Sequence, residues 1–472
     1  MALHRVHVIP ARLLMWQRVR KYAVPPSMVD TATARRATGD WAGACAAARV
    51  DVDLDPRAVR DRHGTELAAR LRADLRRLAP DLLRWHMPRS APDGRLRPGL
   101  TLTLARYPRP GAPPLRLVVR TPPARADGGQ RMSLALWEGP GHGVHGQHPH
   151  PYPDRRFRLD LHRHLWDASR SGELARRSED GVPAVMPAVA GPDASLAVGR
   201  WAAEGELLLR AEGRSRGAFT VRLGARRRAV LELAAPDDSH APALRPLRHA
   251  LPAQEIAALP VLPEAAVRRL PDLELLRAGL VPAGRLHPLV AAALDAIPAA
   301  GSAGEGGDPP GGDPHRVECR GEVHRIALRD GVLTAVDHTP DELRREDLLV
   351  ALGGPALPCL RAIDAVHRTP EALPAVRERL GHGDVVGALD VVEALLGPGA
   401  VLREGPLREA LESAADRRVG HGLFRAGLVT AHPAAAEPGH RLRPDRHTPA
   451  VLRRKRAGRT RPRNGHAPSD GL

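Results

Sequence analysis

The residues of this 472-residue chain best suited to chemistry are the histidines near position 150. His142, His145, His148 and His150 lie in a segment so rich in glycine and proline that it is expected to form a loop. Asp160, His162 and His164 follow at i, i+2 and i+4. On a strand these three side chains share one face, opposite Leu159 and Leu161. Such a D-x-H-x-H face can give Zn²⁺ three ligands and leave a fourth position for water, with His142 and His145 as further donors from the loop. The chemistry implied is metal-dependent hydrolysis. The competing expectation is a solvated strand face and a polar loop with no cofactor, in a chain that holds 23 histidines.

Other reaction motifs are missing or badly placed. Gly213-Arg214-Ser215-Arg216-Gly217 has the spacing of a nucleophile elbow, which needs a strand before it and a helix after it. Residues 206–210 and 218–223 both read as strands, so a hairpin loop is expected there. The only lysines, Lys21 and Lys455, do not follow a glycine-rich phosphate loop. Cys45, Cys319 and Cys359 are widely separated and form no C-x-x-C pair. That usage points to a reducing, cytoplasmic compartment and away from a zinc ribbon. No apolar run of roughly 18 residues occurs, so no membrane insertion is expected.

The net charge of +17 is concentrated at the ends. Residues 441–472 carry ten basic and two acidic side chains, and residues 1–40 carry seven and two. Arg453, Arg454, Lys455, Arg456, Arg459, Arg461 and Arg463 form a cluster able to neutralise phosphates, so the tail could bind nucleic acid without reading its sequence. It contains no aromatic residue for base stacking, and a disordered, solubilising tail is the plainer expectation. Lys and Arg number 71 against two lysines, so arginine is common everywhere and a single arginine says little about anion recognition.

The elements that would position these residues predict an α+β chain. Residues 1–26 read as a basic arm and 27–95 as short helices, with Ser27 and Asp30 as a capping box, Gly39 as a stop, and Asp40 and Asp55-Pro56 as further starts. Alternation at Leu100–Leu104, Phe157–Leu161 and Phe219–Leu223 predicts an antiparallel β-rich domain over 98–235, each strand having one wet face. A helical segment is expected over 250–297. Residues 298–315, with six glycines and four prolines, predict a flexible linker. Over 316–430, Asp330-Gly331 predicts a β-hairpin. Helices beginning at Thr339-Pro340, Thr369-Pro370, Asp384 and Pro406 follow, with ends near Gly353, Gly381, Gly397 and Gly420. Residues 431–472 are the disordered basic tail.

Two short similarities recur within the chain. Gly39-Asp40-Trp41-Ala42-Gly43-Ala44 matches Gly383-Asp384-Val385-Val386-Gly387-Ala388 in a Gly-Asp-x-x-Gly-Ala frame, and Leu275–Val281 matches Leu423–Val429 at six of seven positions. The Gly-Asp turn resembles the hairpins of helical-repeat families such as tetratricopeptide and ankyrin proteins, over about a dozen residues at each place and without their fixed period. That resemblance implies helical hairpins that bind protein. The function expected from the sequence is therefore a non-catalytic interaction or scaffold protein with a protein partner. A metal-dependent hydrolase and a nucleic-acid-associated protein are the alternatives.

Overall fold

The structure is a computed structural model that describes residues 9–122, 129–139, 152–178, 195–224, 227–234, 243–247, 251–294, 316–319, 322–329, 332–335, 337–354, 358, 372–396, 405–426 and 428. The expected linker, His142, His145 and the basic tail cluster lie outside these residues.

The chain begins with helices α1 (Ala11–Tyr22), α2 (Pro26–Ala37) and α3 (Trp41–Ala47), followed by strand β1 (Val50–Asp53) and helices α4 (Pro56–His63), α5 (Thr65–Arg77) and α6 (Pro80–His86). Residues 11–22, expected within a basic arm, instead form a helix packed into the core through Leu13, Met15 and Val19. Arg20 can enter that core because Asp272 neutralises it through two contacts of 2.8 and 2.7 Å. The expected Ser27–Asp30 capping box does not form. Pro26 starts α2 with its fixed φ, which places Ser27 inside the helix. Asp40 and Asp55 do cap α3 and α4, accepting from Gly43 N and Arg57 N.

After the short hairpin β2 (Arg89–Ser90) and β3 (Arg95–Leu96) come β4 (Thr101–Arg109), β5 (Ala112–Arg120) and β6 (Met132–Trp137). These three join β1 in a sheet of order β1-β6-β5-β4, antiparallel except for the β1–β6 pair. The Thr face of β4, expected to be wet, is covered. Thr101 O accepts from Asp154 N at 2.8 Å and Thr103 N donates to Phe157 O at 3.1 Å, so the segment 154–161 lies along that strand. This segment is not the predicted strand. Residues 159–161 and 163–165 are 3₁₀ turns, because its backbone spends its hydrogen bonds on i→i+3 contacts and on β4.

Helix α7 (Leu174–Ser178) and helix α8 (Trp201–Ala211) precede a second antiparallel sheet of β7 (Gly217–Arg222), β8 (Arg228–Ala234) and β9 (Ala243–Pro246). Residues 206–210, expected as a strand, belong to α8, whose Trp201, Leu208 and Leu209 recur at helical spacing and are buried. The Gly-x-Ser-x-Gly segment thus runs from helix to strand, the reverse of an elbow. Helices α9 (Ala253–Ala258), α10 (Glu264–Val267), α11 (Pro271–Arg277) and α12 (Pro288–Leu294) return the chain to the first sheet. One core draws on residues from Leu13 to Leu174 and again from Leu275 to Leu294, and a second is centred on Trp201, Phe219 and Leu231.

Strands β11 (Glu322–Arg329) and β12 (Val332–Ala335) form the expected hairpin, with Arg329 opposite Val332, and an unpredicted strand β10 (Arg316–Cys319) pairs with β11 to make a three-stranded meander. Thr339 and Glu342 complete a reciprocal capping box at the start of α13 (Pro340–Ala351). Helices α14 (Ala372–Gly381), α15 (Val385–Leu396) and α16 (Pro406–Arg425) build a small third core around Val376, Ala388 and Leu411. Helix α16 runs past its expected stop at Gly420 to Arg425. The architecture is α+β with predominantly antiparallel sheets. No helix among the described residues is long and apolar enough to cross a membrane.

The Gly-Asp similarity is a shared local structure. Gly39 and Gly383 adopt φ of +78° and +79°, and Asp40 and Asp384 each accept from the backbone N–H three residues on. A Cβ on Gly43 or Gly387 would fall within 2.3 Å of the capping carboxylate, which explains the second glycine of the frame. The two turns differ in surroundings. Nothing lies within 4 Å of a Cβ at Gly39, whereas at Gly383 it would sit 2.1 Å from Gly129 O. Gly39→Ala should therefore lower stability by about 1 kcal/mol through φ alone. Gly383→Ala should cost at least about 2 kcal/mol by also pushing α14–α15 off the body. Urea unfolding midpoints of the two variants measure the difference, and equal losses would show that the hairpin does not seat against residue 129.

Candidate anion-binding cavity

A cavity of about 400 Å³ opens between α1, the corner from α6 to β2, the 156–165 segment, α7 and residues 263–271. Met15, Trp16, Leu102, Phe157, Leu165 and Leu174 give it apolar walls. Among the described residues nine arginines line it, and Glu264 is the only carboxylate to do so.

Most of these guanidiniums are compensated. Arg20 donates to both oxygens of Asp272 and to Trp85 O, and it lies 4.9 and 4.3 Å from the Trp16 and Trp85 ring centroids. Arg12 pairs with Glu274, and Arg158 with Asp160 and Glu212. Arg177 and Arg200 share the single carboxylate of Glu204, at 2.7 and 3.0 Å. Although burial opposes its ionisation, Glu204 is held below the usual carboxylate range by His162, Arg177 and Arg200.

Arg89 is different. Its Nη2 donates to Arg84 O at 2.6 Å, while Nε and Nη1 are shielded from solvent and have no hydrogen-bond partner. Burial, and then the neighbouring Arg20 charge, lower it to about 9, so it stays cationic at neutral pH. Beside it the imidazoles are neutral. Burial pushes His86 down to about 3 against the pull of Asp272, and pushes His164 well below its ordinary value, with His162 and Arg177 adding to the effect. His86 Nε2 and His164 Nδ1 are buried and have no partner. One unpaired cation and two unpaired imidazole nitrogens thus belong to residues lining a cavity with apolar walls. Buried polar atoms are normally satisfied, and a shielded guanidinium without a counter-ion is costly. A bound carboxylate or phosphate oxygen would satisfy both needs.

The residues expected to hold metal are arranged otherwise. Asp160 accepts from Arg158 Nε and Nη2, both at 2.8 Å, so its two oxygens are taken by a cation. His162 is 1% exposed, and its Nδ1 accepts from Arg177 Nη2 at 3.0 Å. That bond puts the ring proton on Nε2, 3.7 Å from Glu204 Oε2. The His162 and His164 rings meet edge to face at 5.8 Å. Among the described residues no three His, Cys, Asp or Glu side chains gather as metal ligands do. Cys45 is buried, and burial followed by Asp40 pushes its thiol up to about 12, so it is not a nucleophile.

The neutral histidines predict a pH dependence. Burial lowers His86 to about 3, His162 to about 4 and His382 to about 3, and it also lowers His164 well below its ordinary value. Each takes a proton near pH 6.5 when unfolded, so the unfolded state binds more protons below that pH. Stability is full above about pH 6.5 and falls as pH drops toward 4, by up to about 1.4 kcal/mol per pH unit for each histidine. Urea titrations at pH 7, 6 and 5 should show this loss before the carboxylates titrate. A flat profile over that range would mean the four rings are already solvated.

Nothing in the sequence distinguishes Arg89 by residue type. One signal was legible: Arg84, His86 and Arg89 sit in a stretch with no acidic residue between positions 82 and 92. Comparison with known proteins finds no matching family model, no matching curated protein and no matching solved structure.

Proposed function

We propose that this chain is a non-catalytic binding protein whose cavity takes a small amphiphilic organic anion. The observation that carries this reading is the Arg89 guanidinium, with two shielded and unpartnered N–H groups, lining a cavity of about 400 Å³ whose walls are largely apolar. The apolar walls suit an alkyl or aromatic body. Arg89 suits its carboxylate or phosphate head, and His86 and His164 can complete the contacts. Isothermal titration of the full chain with octanoate should show saturable, one-to-one binding. Octanol, which lacks the charge, should bind at least about tenfold more weakly, as expected when a charged hydrogen-bonded contact is lost. Equal affinity for octanol and octanoate, or no binding of either, removes the reading.

A protein partner is supported by a separate observation. Leu348, Leu349, Val350 and Leu352 are exposed together at the end of α13 and just beyond it, Leu352 at 84%. Replacing Leu348 and Leu352 by serine should remove a stoichiometric partner that co-purifies with the wild-type chain. A wild-type chain that purifies alone removes this second reading.

A further inference from the structure

A second, smaller cavity of about 220 Å³ adjoins the first and shares Arg156, Glu264 and Arg268 with it. Arginine is too common in this chain for one to mean much, but here four converge from separate places. Arg97 follows β3, Arg156 lies in the segment along β4, Arg222 ends β7 and Arg268 follows α10. Glu264 is the single carboxylate in the lining, and it lies 3.5 Å from Arg97.

Phe157 lies in the lining of the larger cavity, next in sequence to the shared Arg156. Its ring walls the larger cavity, while the Arg97 and Arg156 guanidiniums lie 5.8 and 5.1 Å from its centroid. Arg156 O also accepts from Glu264 N at 2.8 Å, which fixes the shared wall. Asp154 holds the Arg156 side chain, and Arg268 Nη1 donates to Ser195 Oγ at 2.5 Å. These guanidiniums are therefore positioned rather than free to swing, which preorganises them for a ligand. Burial opposes the Arg156 charge, but Asp154 pairs with it and raises it above its ordinary value, so the cluster holds its own counter-charge at that point. Burial lowers Arg222 and the Arg156 charge lowers it further, with Glu264 pulling the other way.

We propose that this arginine cluster is a phosphate subsite at the mouth of the cavity, so that the ligand is an alkyl or aryl phosphate monoester rather than a simple carboxylate. This rests on the anion-binding reading of the larger cavity. A phosphate monoester carries close to two negative charges at neutral pH and three acceptor oxygens, which several guanidiniums satisfy better than one can. Its apolar body would pass Phe157 into the main cavity, where Arg89 would meet any second anionic group.

The experiment compares octyl phosphate with octanoate by isothermal titration, on the full chain and on Arg222→Glu. Arg222 is exposed, so reversing its charge leaves the core packing alone. The wild type should prefer octyl phosphate by about tenfold or more, and the variant should bring that ratio close to one. A wild-type ratio near one, or a preference that survives in Arg222→Glu, overturns the phosphate subsite. Octanoate binding that still discriminates against octanol would keep the larger cavity's reading intact, and its absence would remove that reading instead. Flotation with phosphatidylcholine vesicles, with and without phosphatidic acid, separates the sources. Binding to monomeric octyl phosphate supports a soluble monoester, and binding only to phosphatidic acid vesicles supports a lipid headgroup. Binding to neither overturns the proposal.

Discussion

Arg89→Met is expected to abolish anion binding and, at the same time, to make the free protein more stable. The two effects have one cause. In the free protein the guanidinium is shielded, has one backbone acceptor and lacks a counter-ion. Replacing a poorly compensated buried charge by an apolar side chain of similar length removes a desolvation cost. The gain should be about 1–2 kcal/mol in urea unfolding at pH 7. The bond to Arg84 O is lost, but Met87 N also donates to that carbonyl, at 3.4 Å. With octanoate at about 100 times its Kd, the wild type should gain about 2.7 kcal/mol of stability and the variant nothing. A purely structural arginine behaves oppositely, since its removal destabilises and leaves ligand linkage unaffected. A destabilised variant that still responds to octanoate would assign Arg89 to that structural class.

Much of the local architecture was legible because it depends on near neighbours. The Asp40, Asp55 and Thr339 caps, the hairpin joining β11 to β12 and the Gly-Asp turns need only residues a few positions apart. What failed depended on what lies above a segment. Phe157–Leu161 alternates like a strand, but its backbone pairs along β4 and curls into 3₁₀ turns. Thr101 and Thr103 read as a wet face and are buried by that segment. The charged members of the site were hidden for a related reason. Whether an arginine is compensated is a tertiary fact: Arg20 meets Asp272, 252 positions away, while Arg89 meets no carboxylate. His162 and His164 were conspicuous by spacing and do line or support the cavity. Arg177 donates to His162 Nδ1 and its charge also bears on His164, so the two rings are not presented to a metal ion as a free ligand pair.

The same electrostatic logic makes Glu204 the residue whose loss should cost most. It is 4% exposed, pairs with Arg177 and Arg200, and faces His162. Glu204→Gln keeps the shape but leaves two guanidiniums sharing no anion. Breaking a buried pair by removing one partner typically costs about 3–5 kcal/mol, and that loss is expected at pH 7. The pH dependence identifies the mechanism. Glu204 ionises more readily folded than unfolded, so its contribution is present above about pH 4.5 and disappears as pH falls below that. Wild type and Glu204→Gln should therefore draw together in stability as pH falls from 4.5 through the depressed folded-state value of Glu204, where each comes to hold a neutral group at this position. Arg177 and Arg200 line the cavity, so the freed charge should also tighten octanoate binding several-fold in molecules that remain folded. A variant as stable as wild type at pH 7, with unaltered octanoate affinity, would mean that both arginines find other acceptors and that Glu204 does not set the charge of the cavity wall.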